Sequence, residues 1–395
     1  MKGWKEVTLA DICSSMDYGY TASSSEDPVG PHFLRITDIA TGRVNWGDVP
    51  YCKIDDYDKT KYKLSVGDIV IARTGASTGA TYVIKESDPE NLVFASYLIR
   101  YRVNKIIALP SFIGALLTST IWKSYVDGVV GGSAQPGANA KVLGAFSFNL
   151  PSLPEQRAIA SVLSSLDDKI DLLHRQNTTL EKMAEALFRQ WFVEEASDDW
   201  EERKLGDIVS ISRGASPRPI IKYVKNGTIP WIKIADATSS SSLFITKTNE
   251  YIIEEGVSKS IEVYPGDLIL SNSATCGLPY IVNIYGCIHD GWLLFRKFDV
   301  LPKTFILFLL KYIAIELNQI ADGSVQDNLN TNILKNYAIK IPNRLKLDNF
   351  NSLSNTIMSK IKTNTLQIQS LEKLRDTLLP KLMSGEVRVQ YKDAE

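Results

Sequence analysis

Between Gly132 and Pro151 the chain reads GSAQPGANAKVLGAFSFNLP, and between Gly323 and Pro342 it reads GSVQDNLNTNILKNYAIKIP. The two stretches stand 191 positions apart and stay in register without a gap: Ser133 with Ser324, Gln135 with Gln326, Asn139 with Asn330, Leu143 with Leu334, Pro151 with Pro342. So extended a match marks two copies of one plan, and an internal repeat governs every later assignment of fold.

Working outward, WKEVTLADI from Trp4 matches WEERKLGDI from Trp200, and FLRITDI from Phe33 matches WIKIADA from Trp231. VGDIVIAR from Val66 matches PGDLILSN from Pro265, and LPSFIGALL from Leu109 matches LPKTFILFLL from Leu301. The offsets drift between 191 and 199, as loop insertions and deletions produce. Gly67-Asp68 and Gly266-Asp267 read as turns entering β-branched apolar strands, whereas the segments after Pro110 and Pro302 carry helical periodicity. Each copy therefore begins with an α+β body.

Each body is followed by a long helical segment. Ser152-Leu153-Pro154-Glu155 has the form of a capping box, with Ser152 accepting from the Glu155 amide and the Glu155 carboxylate reaching back. From there Ile159, Leu163, Leu166, Ile170, Leu173, Asn177, Leu180, Ala184, Leu187 and Trp191 follow alternating steps of four and three, the spacing of a coiled-coil seam. The second copy repeats the seam with Ile357, Ile361, Asn364, Ile368, Leu371, Leu378 and Leu382, and Gly385 provides a stop. At about 1.5 Å per residue, roughly 37 residues make a rod of about 55 Å. Run antiparallel, two such rods place similar bodies at opposite ends about a pseudo-two-fold axis. A DNA duplex also has two-folds perpendicular to its axis, so such bodies suit two separated half-sites.

Composition sets limits on this. The 44 Lys and Arg residues balance 45 Asp and Glu, so basic surface must be local. Cys13, Cys52, Cys276 and Cys287 form no CxxC pair, and His32, His174 and His289 do not join them at metal spacing, which favours buried free thiols. The start MKGWKEVTLADI has no signal-peptide apolar run, and FILFLLKYIAIEL is short and carries Lys311 and Glu316, so a soluble cytoplasmic protein is expected. No GxxxxGK[ST], no GxGxxG on a strand-to-helix turn and no N-P-P-[FYW] occurs, which argues against nucleotide or S-adenosylmethionine chemistry in the chain itself.

The order of parts, the G-S-x-Q loop before NLPSLPEQRAIASVLSSLDDKID and the later LEKMAEALFRQWF resemble the specificity subunit of a bacterial type I restriction-modification system. The resemblance covers nearly the whole chain and is most specific from Gly132 to Phe192. It implies two target recognition domains, at 1–151 and 196–342, and two spacer helices, at 152–195 and 343–385, ahead of a tail at 386–395. It implies double-stranded DNA as ligand, two methyltransferase subunits as partners, and motor and nuclease subunits in the full complex. It further implies no catalysis or cofactor in this chain, the partners using S-adenosylmethionine, ATP and Mg2+. The second copy departs from the pattern where Lys346 and Leu347 replace Glu155 and Gln156. A self-contained modification or restriction enzyme and a protein-binding scaffold are the rival readings.

Candidate DNA contacts follow from charge and position. Arg213, Arg218, Lys222, Lys225 and Lys233 fall in a stretch free of acids between Asp207 and Asp236. Arg100, Arg102, Lys105 and Lys123 fall in another, from Asn91 to Val126. Such stretches suit phosphate contacts, unless acids lie nearby in space. Arg73 with Thr74, and Asn272 with Ser273, follow equivalent strands and carry groups suited to base edges. Gln135 and Gln326 recur in both copies, which favours a shared backbone contact or bracing role. Asn177 and Asn364 either fix helix register or sit where the seam opens to solvent. The aromatics Phe188, Trp191 and Phe192 read either as packing or as a docking surface.

Overall fold

The computed structural model describes residues 3–130, 138–238, 242–273, 275–322, 329 and 331–390. It resolves into two compact units, Met1–Lys169 with Ser370–Glu395, and Ile170–Gln369. The long helices, Leu153–Arg189 and Arg344–Met383, each contribute to both.

In the first unit, Lys5–Thr8 pairs antiparallel with Ser147–Leu150, tying the start of the body to its end. A four-stranded antiparallel sheet runs in the order Cys13–Tyr18, Leu98–Val103, Asp68–Ala72, Thr81–Val83. A smaller mixed sheet joins Ser24–Ser25, Tyr51–Cys52, His32–Leu34 and Leu92–Phe94. Strand Asp68–Ala72 is buried throughout, which is why DIVIA reads as an unbroken apolar run after its leading acid.

The second unit repeats the plan. Glu201–Lys204 pairs with Ala338–Ile341, and the principal sheet runs Ser210–Arg213, Trp292–Arg296, Leu268–Ser271, Pro279–Val282, Phe244–Ile245. Gly67 and Gly266 both take positive φ, +90° and +102°, at the turns entering the equivalent strands Asp68–Ala72 and Leu268–Ser271. The equivalent strands also carry equivalent ion pairs: Arg102 with Asp68 at 2.8 Å, and Arg296 with Asp267 at 2.6 Å.

Each long helix begins differently. Ser152 Oγ accepts only distantly from the Glu155 amide, at 3.5 Å, and the Glu155 carboxylate does not close the expected capping box. It accepts instead from the Trp4 indole at 3.0 Å, because the body packs against this turn. Gln156 is fully buried: its Oε1 accepts from the Leu109 amide (2.8 Å) and its Nε2 donates to the Pro151 carbonyl (2.9 Å). In the second copy Asn343 caps the helix by accepting from the Lys346 amide at 2.9 Å. Lys346 then stands 5.6 Å from the ring centre of Trp200, the counterpart of Trp4, and 3.1 Å from Glu195. Leu347 is buried where Gln156 stood. The tryptophan is held in both copies, by a hydrogen bond that its indole donates in one and by a cation on its ring in the other.

Within each unit the helical segments run antiparallel. In the first, Asp167 meets Arg375 at 3.0 Å and Glu155 lies 3.9 Å from Arg388, while Ile159, Leu163, Leu379 and Leu382 share one core. In the second, Asn177 meets Asn364, and Phe188 meets Phe350 at 5.9 Å. The seam residues Ile159, Leu163, Ile170, Leu173, Ile361, Ile368 and Leu382 are buried; Leu166, Leu180, Leu187, Ile357, Leu371 and Leu378 are half-buried. Toward Arg189 burial shifts from Leu187 and Trp191 to Ala184, Phe188 and Phe192, since 3.6 residues per turn drift off a seven-residue repeat. Phe188 and Phe192 pack on Phe305 and Phe350, so this aromatic end is core. Lys311, between Glu181 (2.8 Å) and Glu185 (2.6 Å), fastens the second body to the first helix.

Asn177 and Asn364 are 3 % and 0 % exposed, so the seam does not open to solvent at this point. Asn364 Nδ2 donates to Asn177 Oδ1 at 2.9 Å, and Asn177 Nδ2 reaches Thr365 Oγ1 at 3.5 Å. Replacing Asn364 alone by Leu leaves the buried Oδ1 of Asn177 without its donor and is expected to cost about 1–3 kcal/mol. The N177L/N364L double variant should recover most of that loss. Urea unfolding of the wild type and the three variants checks this; simple additivity of the two losses would refute the coupling.

Candidate nucleic-acid interface

At one end of each principal sheet three loops are bound together by the same backbone hydrogen bonds. In the first body the Arg73 amide donates to the Tyr97 carbonyl (3.1 Å), and the Gly19 amide to the Leu98 carbonyl (3.3 Å). In the second, the Asn272 amide donates to the Gly291 carbonyl (2.9 Å), and the Gly214 amide to the Trp292 carbonyl (2.8 Å). The repeated loop returns to the same point in both copies, the Ala138 amide donating to Arg73 O (2.8 Å) and the Leu329 amide to Asn272 O (2.9 Å). Gln135 and Gln326 themselves lie outside the described residues. Gly19 and Gly214 are required by close approach: a Cβ there would lie 2.3 Å from the Ala95 oxygen and 2.0 Å from the His289 oxygen.

On this shared frame the side chains differ. Arg73, half-buried, lays its guanidinium over the Tyr18 ring at 4.9 Å, next to half-buried Thr74 and exposed Tyr97. In the second body Asp290 is the hub. Its carbonyl accepts from Arg213 Nε (2.8 Å) and Asn272 Nδ2 (3.2 Å); its carboxylate accepts from Ser216 Oγ (2.6 Å) and Arg218 Nη2 (3.2 Å). The hydroxyl of Ser216 is the main cause holding that carboxyl below its ordinary range, so it is ionised at neutral pH. Burial beside Trp231 and Trp292 lowers the pKa of neighbouring His289.

The structure redistributes the sequence candidates. Asn272 is 1 % exposed and spends its amide on Asp290, so it supports the loop frame and does not offer that amide to a base edge. Ser273 beside it is half-buried. Arg100 is buried against Asp17 (2.8 Å), the Lys63 carbonyl (2.9 Å) and the Phe94 ring. Arg102 is paired with Asp68, and Lys233 with Glu250 at 2.5 Å. Acids distant in sequence thus neutralise part of both basic stretches. Lys105, Lys222 and Lys225 are exposed, as are Arg213 and Arg218. Sequence reasoning missed Asp290, Ser216 and Tyr18; aligning Gly19 with Gly214 would have singled out Tyr18 as the counterpart of Arg213, whereas Asp290 and Ser216 join Arg213 only through tertiary contacts.

Among the described residues no helix is long and apolar enough to cross a membrane, and no group of three or more His, Cys, Asp or Glu side chains is placed to hold a metal ion. The profile of the type I restriction modification DNA specificity domain matches residues 1–182 and again 197–372. The type I restriction enzyme MjaIX specificity subunit of Methanocaldococcus jannaschii is 29% identical over 301 residues, covering 70% of this chain and 68% of that protein. The HindI specificity subunit of Haemophilus influenzae is 23% identical over 98% of this chain and 100% of its own length. The crystal structure of a type I restriction-modification S subunit from M. genitalium superposes with a TM-score of 0.59 at 14% identity, covering 100% of this chain and 97% of that one. The chain belongs to the type I restriction-modification DNA specificity family, and carries its domain twice.

Proposed function

We propose that this chain selects the DNA target of a type I restriction-modification complex, each body reading one half of a split sequence while the paired helices set the gap and dock two methyltransferase subunits. The observation that carries this reading is the duplicated loop frame: identical backbone hydrogen bonds present Arg73 and Tyr18 in one body and the Arg213, Arg218 and Asp290 cluster in the other. One scaffold with two unlike sets of side chains suits a target with two unlike halves. The chain acts in the cytoplasm and has no catalytic activity of its own. Its partners supply S-adenosylmethionine chemistry for adenine N6 methylation, and ATP with Mg2+ for translocation and cleavage. Exposed Lys222 and Lys225 contribute phosphate contacts that position the duplex.

Single-molecule sequencing of N6-methyladenine in cells expressing the chain with its methyltransferase partner tests this. One split motif with unlike halves, absent without the chain, is expected; methylation that does not depend on the chain contradicts the reading. The spacer role has a separate test. Seven residues added after Leu173 and seven more after Ile368 lengthen both helices by about 10 Å, so the recognised gap should grow by about three base pairs. An unchanged gap with full methylation would contradict it.

A further inference from the structure

We propose that Arg213 is a base-reading residue of the second body, directed at a guanine, and that Asp290 is its positioning residue. This deepens the function proposed above and rests on it. Three observations carry it. The Nε of Arg213 donates to the Asp290 carbonyl at 2.8 Å, which fixes the plane of the guanidinium. Arg213 is exposed, and no described residue engages Nη1 or Nη2, so the two terminal amino groups remain as a planar fork. That fork matches the O6 and N7 acceptors of guanine in the major groove, a geometry that a lysine cannot reproduce.

The Asp290 loop is itself immobilised. Ser216 and Arg218 hold its carboxylate, and the buried Asn272 amide holds the same carbonyl that anchors Arg213. Pre-orientation of this kind reduces the rotamer entropy lost on binding. In the first body the position equivalent to Arg213 is Tyr18, whose ring carries the Arg73 guanidinium, and Ser96 stands where Asp290 does. The two bodies thus place different groups on the same frame.

The test uses the chain assembled with its methyltransferase subunits. R213K keeps the charge and removes the fork, so one G·C position in one half of the methylated motif should relax, with the other half and the gap unchanged. In the wild-type complex each guanine of the target is replaced in turn by 7-deazaguanine, which lacks the N7 acceptor. One guanine in that half should then weaken binding by about tenfold or more, and R213K should be insensitive to the same replacement. An unchanged motif in R213K, or methylation weakened evenly at an unchanged motif as for a phosphate contact, overturns the proposal. Should R213K not assemble, the 7-deazaguanine series decides: a single sensitive guanine in one half supports the proposal, and none in either half overturns it. A wild-type chain on which no motif depends removes the underlying function instead, a result distinct from all of these.

Discussion

Two asparagines placed in an apolar seam constrain how the two long helices can align in the second unit. The hydrogen bond from Asn364 to Asn177 lies where neither side chain meets water, so sliding one helix by a turn would bury both amides against leucine and isoleucine. Leaving such groups unpaired costs about 1–3 kcal/mol each, whereas hydrophobic contacts alone tolerate several alignments. A buried hydrogen bond of this kind favours the alignment in which the two amides meet. For a pair of helices that sets a distance, register is the property that counts.

The bodies solve a different problem, that of varying a surface without disturbing the core beneath it. Their strands are buried, and the loops beyond them are joined by main-chain hydrogen bonds that do not depend on side-chain identity. At this junction Gly19 and Gly214 admit no side chain, because the backbone of the neighbouring loop lies where a Cβ would stand. Everything projecting from the frame is free to differ, and it does: Tyr18 against Arg213, Arg73 against Asn272, Ser96 against Asp290. The same economy appears at the helix starts, where Trp4 and Trp200 are held by groups of opposite charge.

The repeat, the α+β bodies, the long helices and their asparagines were legible in the sequence because they rest on local spacing and periodicity. The capping box failed at Glu155 because a tertiary partner, the Trp4 indole, competed for the carboxylate. The basic stretches misled for the same reason. Runs without acids say nothing about Asp17, Asp68 or Glu250, which arrive from other strands and claim Arg100, Arg102 and Lys233. Asn272 looked available because it follows the strand equivalent to that before Arg73 and carries a planar amide, yet three loops close over it. Only the pairing of loops across the sheet brought Asp290 together with Arg213 and Arg218.

In the proposed function each body reads its half independently while the helices fix the gap. The most direct measurement is the methylated motif of a chain whose second body, from Glu201 to Ile341, is exchanged for that of a relative with a known, different target. One half of the motif should change to the donor's while the other half and the gap stay as they were. A motif in which both halves change, or in which the gap shifts with the exchanged body, would contradict it.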